Sequence, residues 1–190
     1  MSSNQPSPIL MVIDAQVDFV DRDGVMPCIN AYQVIERIIQ LVDFSRQNDI
    51  PVLFTREAHS ANLLDFGHEM TIQVPQHCIV NTPGYEIVAE LTPEAEDFII
   101  DKRRYSAFLG THLDIILNSF TNPTLFITGF TTNACVHHTV MDAWQRDFPV
   151  HVLEDCISAT TEEKHRVALK MLDFISPEIR IDSNQFITQH

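Results

Sequence analysis

Three side chains of unlike chemistry each stand just beyond a short apolar run. Asp14 follows residues 9–13, Lys102 follows residues 97–100, and Cys135 lies in the turn 129–136 that follows residues 124–128. A thiol, a carboxylate and an ammonium are the parts of an activated nucleophile, a proton carrier and an electrostatic stabiliser. Taken singly, each has an ordinary explanation: a turn aspartate, a solvated lysine, a cysteine acting as a small buried hydrophobe. Arrival of all three at one edge of a sheet is what points to chemistry. A thiol at a helix N-terminus gains from unpaired N–H groups and the positive end of the dipole, and a nearby ammonium favours the thiolate further. Asp14 then takes the thiol proton or shuttles it to a leaving nitrogen, while N–H groups around 129–135 receive a developing oxyanion. A cysteine activated in this way is expected to label with iodoacetamide well before Cys28, Cys78 and Cys156.

The elements that would position these groups follow from the apolar pattern. Residues 9–13, 51–55, 97–100, 124–128 and 150–153 are nearly continuous apolar runs, as in parallel strands covered on both faces. A last strand is expected within 178–188. Four helical faces alternate with the strands. Val34, Ile35, Ile38, Ile39 and Val42 follow a cap at Asn30; Leu113, Ile116, Leu117 and Phe120 follow Thr111 and Asp114, spaced like a capping box. Val136, Val140, Ala143 and Trp144 form the third face. Ala168, Met171, Leu172 and Ile175 form the fourth, opened by Thr160 or Thr161 with Glu163 suitably placed. The alternation predicts a three-layer αβα sandwich of the Rossmann-like α/β class, with a mainly parallel sheet of about six strands. Ligands of such sheets bind beyond the carboxyl ends of the strands.

The chain of 190 residues is long enough for one buried core and is read as a single domain over 1–190. Its 26 acidic against 12 basic residues give a net charge of −14, a field that repels phosphate backbones and anionic headgroups. Nucleic-acid and membrane partners are therefore not expected. No run approaches the roughly 18 apolar residues of a spanning helix, and residues 1–8 do not read as a signal peptide. Four scattered cysteines without a CxxC pair fit a reducing cytoplasm. Residues 56–96 break the rhythm, yet they hold three of the nine histidines. A loop of that length inside a compact domain is usually functional or disordered, and the histidines favour function.

The segments ILMVIDAQVDF (9–19), KRRYSAFLGTHL (102–113) and TGFTTNACVHHTVMDA (128–143) resemble the signature blocks of the isochorismatase-like cysteine hydrolases. That superfamily includes nicotinamidases, N-carbamoylsarcosine amidohydrolase, ureidoacrylate amidohydrolase and isochorismatase. The resemblance places Asp14, Lys102 and Cys135 on the family's catalytic triad. It implies a cis Phe130–Thr131 peptide, with the Thr131 and Cys135 amides as oxyanion hole. Phe19 matches an aromatic of the substrate pocket, which Tyr105 and Phe108 are expected to join. The insert resembles the nicotinamidase segment that binds a divalent metal, so Glu57, His59 and His77 take the three ligand places, with Glu for the family's Asp, and His68 is a further candidate. Two histidines and a carboxylate suit zinc, iron or manganese. No organic cofactor is implied.

The resemblance also bears on substrate. Val74 stands where nicotinamidases commonly carry a Trp, and Tyr105-Ser106-Ala107-Phe108 is similar to hydrolases of carbamoyl or ureido compounds. The expected activity is C–N cleavage in a small amide, carbamoyl or ureido substrate, with a homo-oligomer as the expected assembly. Two alternatives stand beside it: vinyl-ether hydrolysis driven by Asp14 alone, and a catalytically idle module that binds a small ligand or a partner. Isochorismatase typically lacks the nucleophilic cysteine, so Cys135 argues for C–N chemistry. His137 and His138 sit at helical offsets that turn them away from Cys135. Arg103 and Arg104 are read as solvated, and the other three cysteines as structural.

Overall fold

The computed structural model describes residues 6–72 and 74–190. In chain order the elements are β1 (Ser7–Ile13), α1 (Val17–Val20), α2 (Ala31–Gln47), β2 (Val52–Glu57), α3 (Glu69–Ile72), β3 (Phe98–Lys102), α4 (Leu113–Leu117), β4 (Pro123–Phe130), α5 (His137–Gln145), β5 (Val150–Ser158), α6 (Glu162–Ile175), β6 (Arg180–Ile181) and α7 (Ser183–Gln189). The six strands form one parallel sheet in the order β3-β2-β1-β4-β5-β6. The three-layer α/β expectation holds.

Strand alternation sorts the apolar side chains into two cores. Leu10, Val12, Phe54 and Phe126 face α2 and Phe186 of α7. Ile9, Met11, Ile13, Leu53, Ile100 and Ile127 face α4, α5 and α6 through Leu113, Val140, Ala143 and Leu172. The runs of β1, β2, β4 and β5 are thus covered on both faces of the sheet, whereas β3 at its edge leaves Phe98 and Ile99 exposed.

Local details depart from the sequence expectation. Asn30 stands at the N-cap of α2 in the left-handed region (φ 51) and makes no side-chain cap bond. The Thr111–Asp114 capping box does not form: His112 is the N-cap of α4, and the Thr111 hydroxyl turns back to the Ala107 carbonyl. Thr161, not Thr160, caps α6 by accepting from the Lys164 N–H. Trp144 and Met171 lie at the margins of their apolar faces and are about half exposed, 44% and 52%. The last strand shrinks to two residues because Asp182 and Gln185 form a capping box that starts α7 immediately.

The insert is pinned at several points. Ile79 bridges His59, and Ile87 bridges Gln16. The buried Asp18 carboxylate accepts from the Cys78 N–H at 2.7 Å and leaves no room for a side chain at Gly84. Arg103 pairs with Asp65 at 2.8 Å, and Arg104 donates to the Asp65 carbonyl. These two arginines, expected to be solvated, instead strap the insert to the end of β3.

Gly129 is the one glycine on which the sheet's functional edge depends. Its φ is +102, and a Cβ there would collide with the Ile13 backbone of the adjacent strand. Gly129→Ala is therefore expected to destabilise the fold by about 2 kcal/mol or more. Urea unfolding should show a lower midpoint at unchanged slope.

Candidate active site

Strand order explains how distant residues meet. At the carboxyl edge of β3-β2-β1-β4, Lys102 ends β3, Glu57 ends β2 directly beside it in register, and Asp14 follows β1. Cys135 lies in the π-turn Thr132–Val136 after β4. All four are buried. Asp14 sits in the left-handed region at φ 46, a conformation Asp adopts more readily than most residues. Its N–H bonds back to Thr55 of β2, and the Thr55 hydroxyl donates to Asp14 Oδ1 at 2.6 Å.

Lys102 Nζ is the hub of the cluster. It lies 2.7 Å from Asp14 Oδ2, 3.2 Å from Cys135 Sγ and 3.9 Å from Glu57 Oε2, and donates to the Arg104 carbonyl at 3.1 Å. Cys135 Sγ is 3.7 Å from Glu57 Oε2. Glu57 itself is gripped from the other side: His59 Nε2 is 2.9 Å and His77 Nε2 3.4 Å from Oε1. Gln16 holds the Glu57 backbone, donating to its carbonyl and accepting from its N–H, both at 2.8 Å.

The electrostatics follow from burial and these neighbours. Burial would depress the Lys102 ammonium, but Asp14, Cys135 and Glu57 outweigh it and push its pKa up. Burial would raise Glu57, yet Lys102 and the two histidines hold it well below the usual carboxylate range. Asp14 is raised, chiefly by burial and by Glu57, against the pull of Lys102. The Cys135 thiol is pushed well above its ordinary value by burial and the two carboxylates, despite Lys102. That direction runs against the low thiol pKa expected from the sequence: burial and the two carboxylates raise it, and Lys102 lowers it.

A cleft of about 70 Å³ opens onto this cluster, bordered by Phe19, Glu57, Val74, His77, Tyr105, Thr131 and Cys135 among others. Phe19 and Tyr105 occupy the places expected of them. Phe108 does not: it is buried in the core, stacked on Phe148 at 5.9 Å under Arg146. Helix α4 follows closely after Phe108 and turns this ring toward its own core. The Phe130–Thr131 peptide is cis. Thr131 and Cys135 border the cleft. His138 Nδ1 is engaged by the Ala134 carbonyl at 2.8 Å on the helix exterior.

Glu57, His59 and His77 do come together, while His68 is exposed. Two imidazole nitrogens beside one carboxylate match the donor chemistry of zinc, iron or manganese. His77 Nδ1 faces the Pro75 carbonyl at 2.8 Å, the outer contact that leaves Nε2 available to a metal. His59 Nδ1 is buried without a partner. The residues therefore fit a divalent ion in donor set. A tighter group, Asp14, Glu57 and Cys135, gathers its ligand atoms within 4.8 Å of one another. There the Lys102 ammonium already supplies the positive charge. Thr55, Gln16, Asn133, Thr160 and Lys164 also take part in the site or its support. Only Thr55 carried a sequence signal, since it shares a strand face with Glu57 two residues on.

A parallel α/β fold with a thiol, an ammonium and carboxylates at the carboxyl edge of its sheet defines a hydrolase-type site. The isochorismatase domain matches residues 8–179, and the chain belongs to that family of hydrolases. It is 31% identical over 171 residues to a probable inactive nicotinamidase of Arabidopsis thaliana, covering 87% of each chain. It is 30% identical to a ureidoacrylate amidohydrolase of Methylobacterium radiotolerans, covering 86% of this chain and 72% of the relative. Among solved structures, the pyrazinamidase of Pyrococcus horikoshii in complex with zinc superposes with a TM-score of 0.82 at 28% identity, covering 93% of this chain and 99% of that one.

Any reaction that needs Asp14 as a base loses rate as pH falls through the Asp14 pKa, which lies above the ordinary 3.8. The Thr55 hydroxyl stabilises the carboxylate form, so Thr55→Val is expected to move the acid limb of kcat/KM upward by about one pH unit. A limb at unchanged pH would show that Asp14 is not the titrating base.

Proposed function

We propose that this chain is a cysteine-dependent, nicotinamidase-like amidohydrolase that cleaves a C–N bond in a small amide, carbamoyl or ureido substrate through a thioester-type intermediate. The observation that carries the reading is the Lys102 ammonium, 3.2 Å from Sγ and 2.7 Å from Asp14 beside the cleft. Asp14 takes the thiol proton, and the sulfur attacks the substrate carbonyl. Lys102 stabilises the thiolate and the charge that develops, while the Thr131 and Cys135 amides receive the oxyanion. Asp14 returns the proton to the leaving nitrogen, and the C–N bond breaks. Water then attacks the acyl or carbamoyl adduct with Asp14 as base, and the thiol leaves with the proton. Phe19 and Tyr105 wall the substrate.

The names of the pyrazinamidase and the ureidoacrylate amidohydrolase support the choice of bond. Cys135 itself argues against vinyl-ether hydrolysis, which has no use for a covalent nucleophile. Glu57, His59 and His77 are the residues that would hold a divalent metal, the zinc-bound pyrazinamidase being the supporting parallel. When bound, such an ion polarises a carbonyl or lowers the pKa of a water. Four buried, unpaired cysteines support a reducing, cytoplasmic setting. Among the described residues no helix is long and apolar enough to cross a membrane.

Ammonia release is to be measured over nicotinamide, pyrazinamide, biuret, N-carbamoyl amino acids and ureidoacrylate-like compounds. Cys135→Ala and Asp14→Asn are each expected to lower turnover by about a thousandfold or more, with circular dichroism unchanged. Turnover retained in Cys135→Ala would refute the covalent route. For the metal, chelator-treated protein is expected to take up about one equivalent of zinc, and His59→Ala with His77→Ala to lose it, read by elemental analysis after gel filtration.

A further inference from the structure

The geometry points to Lys164 as the residue that selects a substrate carrying a carboxylate at the end remote from its scissile carbonyl. The inference rests on the amidohydrolase reading and refines its substrate class. Lys164 borders the same cleft as Cys135, together with Thr160. Its Nζ donates to the Thr160 hydroxyl at 3.0 Å, and among the described residues no carboxylate comes within 4.0 Å of it. In a chain where acids outnumber bases 26 to 12, seven of the twelve cationic side chains have a carboxylate partner: Arg37, Arg46, Arg56, Lys102, Arg103, Arg146 and Arg180. Of the cations that do not, Lys164 alone borders this cleft.

The placement of Lys164 relative to the nucleophile is built in. Its neighbour His165 bonds through Nδ1 to the Thr132 hydroxyl at 2.9 Å, tying the first turn of α6 to the π-turn that holds Cys135. Beside Cys135 the one ammonium, Lys102, is already paired with Asp14 and Glu57, so an anionic substrate group finds no free cation there. The Lys164 side is where such a group finds an unspent ammonium and a hydroxyl. With about 70 Å³ available, the amide or carbamoyl carbon and the carboxylate are separated by a short spacer. Phe19, Met26 and Val74 offer that spacer an apolar wall.

N-iodoacetylglycine and N-iodoacetylglycinamide share shape and reacting carbon, and differ by one charge held a short spacer away from that carbon. Each alkylates Cys135 by forming an S–C bond as iodide leaves, and the ratio of the two rates cancels the fraction of thiolate. Rate constants are read by mass spectrometry of the Cys135 peptide. Lys164→Met is expected to lower the N-iodoacetylglycine-to-N-iodoacetylglycinamide rate ratio at Cys135 by about tenfold. Lys164→Arg should preserve the ratio, and Lys170→Met on the same helix should leave it unchanged. An unaltered ratio in Lys164→Met, or an equal fall in Lys170→Met, overturns the inference while leaving the amidohydrolase reading in place. That reading fails separately if neither reagent modifies Cys135 ahead of Cys78 and Cys156, or if Cys135→Ala keeps turnover, and the inference then falls with it.

Discussion

One ammonium shared among three acidic groups in a space closed to water is the constraint on which this structure turns. Lys102 has negligible exposure and faces Asp14, Glu57 and Cys135 at once. An unpaired charge buried to that degree would be expelled or neutralised, and removing one partner of a buried pair typically costs about 3–5 kcal/mol. The cluster therefore enforces its own composition. Catalytic potential and electrostatic frustration have the same source here: burial and the neighbouring carboxylate raise both Asp14 and the Cys135 thiol, against the pull of Lys102.

Support for the cluster is layered outward from the sheet. Thr55 and Gln16 hold the carboxylates from β2 and from the end of β1, using hydroxyl and amide groups that are themselves buried. Beyond them His59 and His77 close over Glu57, and the insert that carries them is anchored by Asp18 and by the Arg103–Asp65 pair. The long insert is thus tied to the sheet at several points, with the Glu57 and Cys78 N–H groups met by the buried Gln16 and Asp18 side chains. The cleft is bordered both by Glu57 and Cys135 of the buried cluster and by Lys164, which donates to Thr160.

Much of the architecture was legible in the residues. The apolar runs located the first five strands, since a covered parallel strand is apolar throughout, although β5 continues past its run to Ser158 and the last strand was expected only within 178–188. Asp14, Lys102 and Cys135 were legible because each stands at the end of a run, where an α/β sheet exposes its ligand edge. Phe108 was misplaced for the converse reason: an aromatic close after a strand packs toward cleft or core according to the path of the next helix, and local sequence is silent on that path. The caps at Asn30 and Thr111 failed similarly, as competing backbone geometry and a nearer carbonyl took the side chains.

Glu57 marks the boundary between the two kinds of information. The family resemblance set it beside His59 as one of the metal-ligand places, and its neighbours in the chain hold no hint of a thiol. Register between β2 and β3 put it against Lys102, and the β1–β4 pairing brought Cys135 to the same edge. The sequence by itself determined the α/β class, the strand positions and the identity of the reactive groups, because periodicity and residue chemistry are local properties. Only the tertiary structure decided which groups share a charge and which of them border the cleft. Those outcomes depend on distances between residues far apart in the chain, and on the removal of water that makes such distances count.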